Sequence, residues 1–96
     1  MTNPIIDEFD NKRWYNSAHQ FHREDGPAIE YSNGAKKWYK NGQCHRTDGP
    51  AAEYTDGSRF WFINGQRCWS TKEYQLAASL SDEDITILII KYGHIV

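Results

Sequence analysis

Long apolar stretches are absent from this sequence, and so is an excess of positive charge. The longest apolar run, residues 87–90, falls far short of the roughly 20 residues that a bilayer-spanning helix needs. Eleven Lys and Arg stand against 13 Asp and Glu, a net charge of −2, which argues against binding to nucleic acid or to an anionic membrane. The first eight residues lack a basic segment followed by an apolar one, so we expect no secretory signal and a cytoplasmic protein.

Cysteine is scarce, and its two positions suit neither a disulfide framework nor a metal site. Cys44 and Cys68 lack the Cys-x-x-Cys spacing, and together with His22 and His45 they match no zinc pattern. We therefore expect no metal ion and no other cofactor. The sequence also offers no recognisable set of nucleophile, base and orienting residue, so the chain is predicted not to be an enzyme.

Aromatic residues are plentiful and make up 15% of the 96-residue chain. Disordered chains are poor in aromatics, so this chain is expected to fold, and its length corresponds to one small domain spanning residues 1–96. A domain of this size buries only about 60–65% of the surface of its unfolded chain. The large aromatic side chains must therefore supply most of the burial.

A 23-residue repeat occupies the middle of the chain. Residues 22–44 read HREDGPAIEYSNGAKKWYKNGQC and residues 45–67 read HRTDGPAAEYTDGSRFWFINGQR, with 13 of 23 positions identical. Residues 1–21 are interpreted as a degenerate half-repeat, because a Trp-Tyr pair precedes the first His-Arg as another precedes the second. The self-similarity predicts two copies of one structural unit.

Glycine-containing turns divide each repeat into short extended runs. Asn33-Gly34 and Asp56-Gly57 have the form of type I′ hairpin turns, and Asn-Gly recurs at 41–42 and 64–65. A glycine about every eight residues argues against helices here. Each repeat is thus predicted to be one β-hairpin, with extended runs at 28–32, 35–40, 51–55 and 58–63. Successive hairpins would form an antiparallel meander.

Strand alternation assigns the aromatic residues to two faces. Trp38 and Trp61 should share one face and pack inward, whereas Tyr39 and Phe62 should share the other. Residues 60–63 are apolar on both faces, and such strands are normally covered on both sides. We therefore expect another element to cover the sheet near the second repeat.

The segment 70–96 is predicted to be a helical cap on the sheet. Ser70 or Thr71 can cap a short helix, and Ser81 can cap a second one with three acidic residues in its first turn. The β-branched residues within 85–90 leave a strand open as the alternative there. The fold class is therefore mainly β (α+β), an antiparallel β-hairpin meander of 23-residue repeats with one or two C-terminal helices packed on it.

The repeats at 22–43 and 45–66, about half the chain, resemble the MORN-like family of short β-hairpin repeats. The HRxDGPA string is similar to the variant carried by small proteins of bacteria and their tailed phages. This resemblance implies an open β-meander that acts as an interaction scaffold and has no catalytic residues. It also suggests a small phage-encoded inhibitor of a host enzyme or defence system.

Two sets of residues are candidate sites. The first would present an aromatic and basic surface to a protein partner and comprises Trp38, Tyr39, Lys37 and Lys40. The second would sequester an anionic small molecule such as a nucleotide signal and comprises His22, Arg23, His45 and Arg46.

The recurrence of the His-Arg string also has a structural interpretation. Asp25 and Asp48 would bond their own turn backbone, and the arginines would pair with Glu30, Glu53 or a turn carbonyl.

A phage structural or assembly component is a further alternative function. The open edges of a short sheet predict a homodimer by edge pairing, or a partner bound at the edge.

Overall fold

The computed structural model describes residues 3–95. Residues 1, 2 and 96 lie outside the described residues. They include the first two residues of the predicted half-repeat, which also begin the segment expected to lack a secretory signal, and the last residue of the predicted helical cap. The strands are β1 (Ile5–Ile6), β2 (Lys12–Arg13), β3 (Ile29–Glu30), β4 (Lys36–Lys37), β5 (Tyr39–Lys40), β6 (Gln43–Cys44), β7 (Ala52–Glu53), β8 (Arg59–Ile63) and β9 (Gln66–Cys68), and the helices are α1 (Thr71–Ala77) and α2 (Asp82–Tyr92).

The predicted hairpin meander with C-terminal helices is confirmed. Seven strands form an antiparallel sheet in the order β1-β2-β3-β4-β7-β8-β9, and β5 pairs with β6 separately. Lys37 of β4 lies between Ile29 and Ala52, which in turn pairs with Phe60. These four side chains consequently point to the same face of the sheet.

The central strand of each repeat changes partners midway, and in the first repeat this change interrupts the strand. In the first repeat Lys37 pairs with Ala52 of the next repeat, whereas Tyr39 pairs with Cys44 of its own. Trp38 lies at the change: its N–H donates to the Ala51 carbonyl and its carbonyl accepts from the His45 N–H. The predicted run 35–40 is thus divided into β4 and β5.

The turn types differ from the prediction. Asn41-Gly42 and Asn64-Gly65 have positive φ at both residues, the signature of type I′. At Asn33-Gly34 and Asp56-Gly57 only the glycine has positive φ, so the predicted type I′ turns are wrong there. The side-chain oxygens of Asn33 and Asp56 accept hydrogen bonds from the N–H groups two residues further on. These bonds favour a right-handed backbone conformation at Asn33 and Asp56 and a three-residue loop.

Both predicted helices are present, and 85–90 is helix rather than strand. The Ser70 hydroxyl accepts from the Glu73 N–H, the Ser81 hydroxyl accepts from the Asp84 N–H, and Gly93 ends α2 with a φ of 85°. The helices cover one face of β8 and β9. Their core consists of Trp61, Ile63, Cys68, Tyr74, Ile85 and Leu88. The expected cover near the second repeat is therefore supplied on one face.

Two further features of the described chain concern its surroundings. No helix among residues 3–95 is long and apolar enough to cross a membrane. The outer edge of β1 pairs with no other strand of the described part, and Ile5 and Ile6 are more than half exposed. Edge pairing with a second copy stays a prediction.

Candidate functional site

Strand alternation distributes the predicted partner-binding residues over two faces of the sheet. Trp38 and Lys40 lie on the face that also carries Trp14 and Trp61, which we call the tryptophan face. Lys37 and Tyr39 lie on the opposite face. We call it the tyrosine face, and its aromatic residues are Tyr15, Phe21, Tyr31, Tyr39, Tyr54, Phe60 and Phe62.

The tryptophan face is filled by the protein's own side chains. The guanidinium of Arg23 lies 3.9 Å above the Trp14 ring, and that of Arg46 lies 3.8 Å above Trp38. The third tryptophan, Trp61, is instead covered by Tyr74 of α1, which meets it edge to face at 4.7 Å. A helix residue thus takes the position that a third arginine would have.

The HRxDGPA string serves this arrangement. Arg46 Nε donates to Asp48 at 2.9 Å, and Nη1 donates to the Pro50 carbonyl at 3.0 Å. A Cβ on Gly49 would lie 2.8 Å from Arg46 Cζ, so glycine is required for the guanidinium to lie there. Arg23 repeats the pattern with Asp25 and the Pro27 carbonyl.

The structural interpretation of the string is confirmed for the arginines and corrected for the aspartates. Arg23 Nη1 donates to Glu30 at 3.0 Å, and Arg46 lies 3.9 Å from Glu53. Asp25 and Asp48 accept from these arginines rather than from their own turn backbone. The arginine is a better partner because its planar fork spans the carboxylate and the turn carbonyl together.

The repeat histidines fix the next turn of the chain. His22 Nδ1 accepts from the Asn41 N–H at 2.9 Å, and His45 Nδ1 accepts from the Asn64 N–H at 3.0 Å. Each bond ties the start of a repeat to the tight Asn-Gly turn near the end of the same repeat. In both rings Nδ1 is the acceptor of the bond.

We predict that the environment of His45 lowers the free energy of unfolding in mild acid. Burial, and secondly the charge of Lys40, lowers the pKa of His45 below its usual 6.5. The unfolded chain then binds more protons than the folded chain below about pH 6.5, so this contribution is complete above that pH and lost as the pH falls. We expect the free energy of unfolding, measured in urea from pH 8 to pH 5.5, to decline more steeply for the wild type than for His45→Asn. Identical pH profiles would contradict this role of His45.

A cavity of about 470 Å³ opens at the junction of the two repeats, and three residues of the predicted anion site, Arg23, His45 and Arg46, line it, whereas His22 does not. Arg23 and Arg46 line it with Lys40, but so do three carboxylates, those of Glu24, Asp25 and Asp48. Cations and carboxylates are thus equal in number around the cavity. His22 and His45 are already engaged with backbone N–H groups.

The tyrosine face has a different electrostatic character. The Lys37 ammonium lies 6.0 Å from the Tyr31 ring and 5.7 Å from the Tyr54 ring. Burial lowers the pKa of Lys37, but the neighbouring Tyr31 and Tyr54 more than offset it, so the pKa is raised and the side chain remains charged. Within residues 3–95 no carboxylate forms an ion pair with it.

A second cation lies on the same face. Arg67 is sandwiched between two aromatic rings, 4.5 Å from Phe60 and 3.8 Å from the exposed Trp69. In the described part of the chain its guanidinium makes no ion pair and donates no hydrogen bond to a side chain. Beside Lys37 lies a shallow hollow of about 300 Å³, lined by Lys37, Tyr39, Cys44, Ala52, Tyr54, Phe60 and Phe62. Arg67 does not line it but contacts the ring of Phe60, one of its walls.

One cysteine, Cys44, lines the hollow. Burial raises the pKa of the Cys44 thiol to about 11, so the thiol stays protonated at neutral pH and is a poor nucleophile. Among the residues that the structure describes, no three metal-ligating side chains are close enough to hold a metal ion.

Arg67 and Trp69 were not identified as site residues from the sequence. Both are departures from the repeat: Arg67 stands where the first repeat has Cys44, and Trp69 stands where Arg46 would recur. A comparison that looked for differences between repeats, rather than for shared residues, would have found them.

Comparison of the chain with family models, with curated proteins and with solved structures gives no match.

Proposed function

We propose that this protein is a non-enzymatic binding module that uses its tyrosine face to contact another protein. One observation carries the proposal: this face combines clustered aromatic side chains with two cations that lack carboxylate partners in the described chain, while the helices pack on the opposite face. Aromatic and Arg side chains are the groups that most often dominate binding energy at protein interfaces.

The resemblance of the repeats extends the proposal to a biological setting. Small phage and bacterial proteins with the HRxDGPA string suggest an inhibitor of a host enzyme or defence protein. Such a protein needs a rigid surface rather than catalytic groups. The cation–π contacts of the tryptophan face support that rigidity, because Arg23 and Arg46 each tie their repeat to the unit before it.

Adjacent lysines provide a matched test of the binding face. Lys37 and Lys36 are neighbours on β4 but point to opposite faces. We expect Tyr39→Ala and Lys37→Ala to weaken binding of a captured and purified bacterial partner by about 30-fold, the scale of an interface hot spot. Lys36→Ala should change the Kd by less than about twofold. Titration by isothermal calorimetry measures each value.

Two results would contradict the proposal. One is a partner that binds wild type and Tyr39→Ala with the same Kd. The other is the absence of any protein retained by the wild-type chain but not by Tyr39→Ala. Urea unfolding of each variant at neutral pH separates a lost contact from a lost fold.

A further inference from the structure

The two cations of the tyrosine face restrict what a partner can bring to it. Lys37, Ala52 and Phe60 occupy one row across three strands, so Phe60 lies about 10 Å from Lys37 at the usual strand spacing of about 4.8 Å. Arg67 is stacked on Phe60. Lys37 therefore lines the hollow directly, whereas the Arg67 guanidinium lies beyond Phe60, and apolar surface separates the two charges.

Burial of this face without carboxylates would be unfavourable. A partner that covers the hollow removes water from the Lys37 ammonium and the Arg67 guanidinium, and an unpaired buried charge is strongly destabilising. The carboxylate of Asp7 lies on the same side of the sheet but is already bonded to Arg13 at 2.8 Å. The compensating negative charges must then come from the partner.

We propose that the tyrosine face binds an acidic peptide segment, with two carboxylates that meet Lys37 and Arg67 and an apolar side chain that enters the hollow. This inference rests on the proposed function and adds the chemistry of the partner. Tyr39, Tyr54 and Phe62 supply the apolar walls of the hollow. Arg67 is held in place by its two aromatic neighbours, so little side-chain freedom is lost on binding.

Single-stranded nucleic acid also binds surfaces of aromatic and basic residues, but the geometry favours the peptide. Base stacking needs free ring faces. Here Tyr54 and Phe60 meet edge to face at 81°, and Arg67 covers Phe60. Two cations on a chain of net charge −2 also give few phosphate contacts.

Selection from a random peptide library tests the inference without a known partner. Twelve-residue peptides displayed on phage are selected on the full wild-type chain, on Lys37→Glu, on Arg67→Glu and on the control Lys36→Glu. We expect wild type and Lys36→Glu to enrich peptides in which two Asp or Glu flank an apolar residue. A selected peptide should bind Lys37→Glu and Arg67→Glu at least about tenfold more weakly, and its Kd should rise with salt.

Several results would overturn the inference. These are an enriched set without an excess of acidic residues, acidic peptides that bind Lys37→Glu as well as wild type, and tighter binding of a dT12 oligonucleotide than of any selected peptide. Self-association seen by light scattering and abolished by Lys37→Glu would likewise replace the peptide by a second copy. If Tyr39→Ala loses its protein partner but no acidic preference appears, the proposed function stands and this inference fails.

Discussion

Tyr74→Ala is expected to lower the free energy of unfolding by about 3–5 kcal/mol, the cost of removing a large side chain from a core. Tyr74 is fully buried, and its ring packs edge to face against Trp61 with the ring centroids 4.7 Å apart. Its hydroxyl donates to the carbonyls of Arg46 and Gly49, so α1 is tied to the corner between the repeats. The change therefore removes both the cover of the last tryptophan and the bond that docks the helices.

Two further variants divide that loss into its parts. Tyr74→Phe keeps the ring but leaves the two carbonyls without their donor, which should cost about 1–3 kcal/mol. Leu76→Ala on the same helix changes an exposed side chain and should stay within about 0.5 kcal/mol of wild type. Urea unfolding followed by tryptophan fluorescence measures all three. Equal losses for Tyr74→Ala and Leu76→Ala would show that the helices do not depend on this contact.

Arg46→Ala is expected to cost about 2–3 kcal/mol, because a charged donor to a carbonyl and the cover of a Trp ring are lost together. The guanidinium lies 3.8 Å above Trp38, and its Nη1 donates to the carbonyl of the fully buried Pro50. Gly49→Ala should destabilise in the same direction, since the new Cβ would lie 2.8 Å from Arg46 Cζ and displace it.

A double-mutant cycle tests whether these two changes act on one contact. If Gly49→Ala works by displacing the guanidinium, it should cost much less in the Arg46→Ala background than in the wild type. Additive losses, measured by urea unfolding, would contradict the assigned role of Gly49.

The sequence was most informative where local chemistry decides the structure. The glycine-containing turns mark where the chain reverses, although the turn type was predicted wrongly at 33–34 and 56–57. Ser70 and Ser81 precede helices that each need an N-terminal acceptor. The hairpins and the helical cap could therefore be predicted from the repeat and its turns.

Features that depend on the packing of distant residues were harder to predict. The inward position of Trp61 was predicted correctly, but nothing local indicates that Tyr74 would take the place of a third arginine over it. The aspartates of the repeat bond an arginine two residues away rather than their own turn. The aspartates bond the arginines because each guanidinium is held nearby, over a tryptophan from the preceding unit.

The candidate site combines a predicted part with one that only the structure brings together. Tyr39 and Lys37 lie on the open face, whereas Trp38 is covered by Arg46 and Lys40 pairs with Glu24 at 3.5 Å. Arg67 joins the site because β9 returns alongside β8 and stacks it on Phe60. Because Arg67 and Lys37 are far apart in the sequence, the sequence did not indicate that both lie on this face.

Hydroxyl-radical footprinting of the protein bound to its partner tests the use of the tyrosine face most directly. Oxidation of each aromatic side chain is quantified by mass spectrometry in the free protein and in the complex. Strong protection of Tyr39, Tyr54 and Trp69, with Trp38 unchanged, is the result that we predict. Protection of Trp38 or of Phe9 near the β1 edge, with Tyr39 and Tyr54 as reactive as in the free protein, would contradict it.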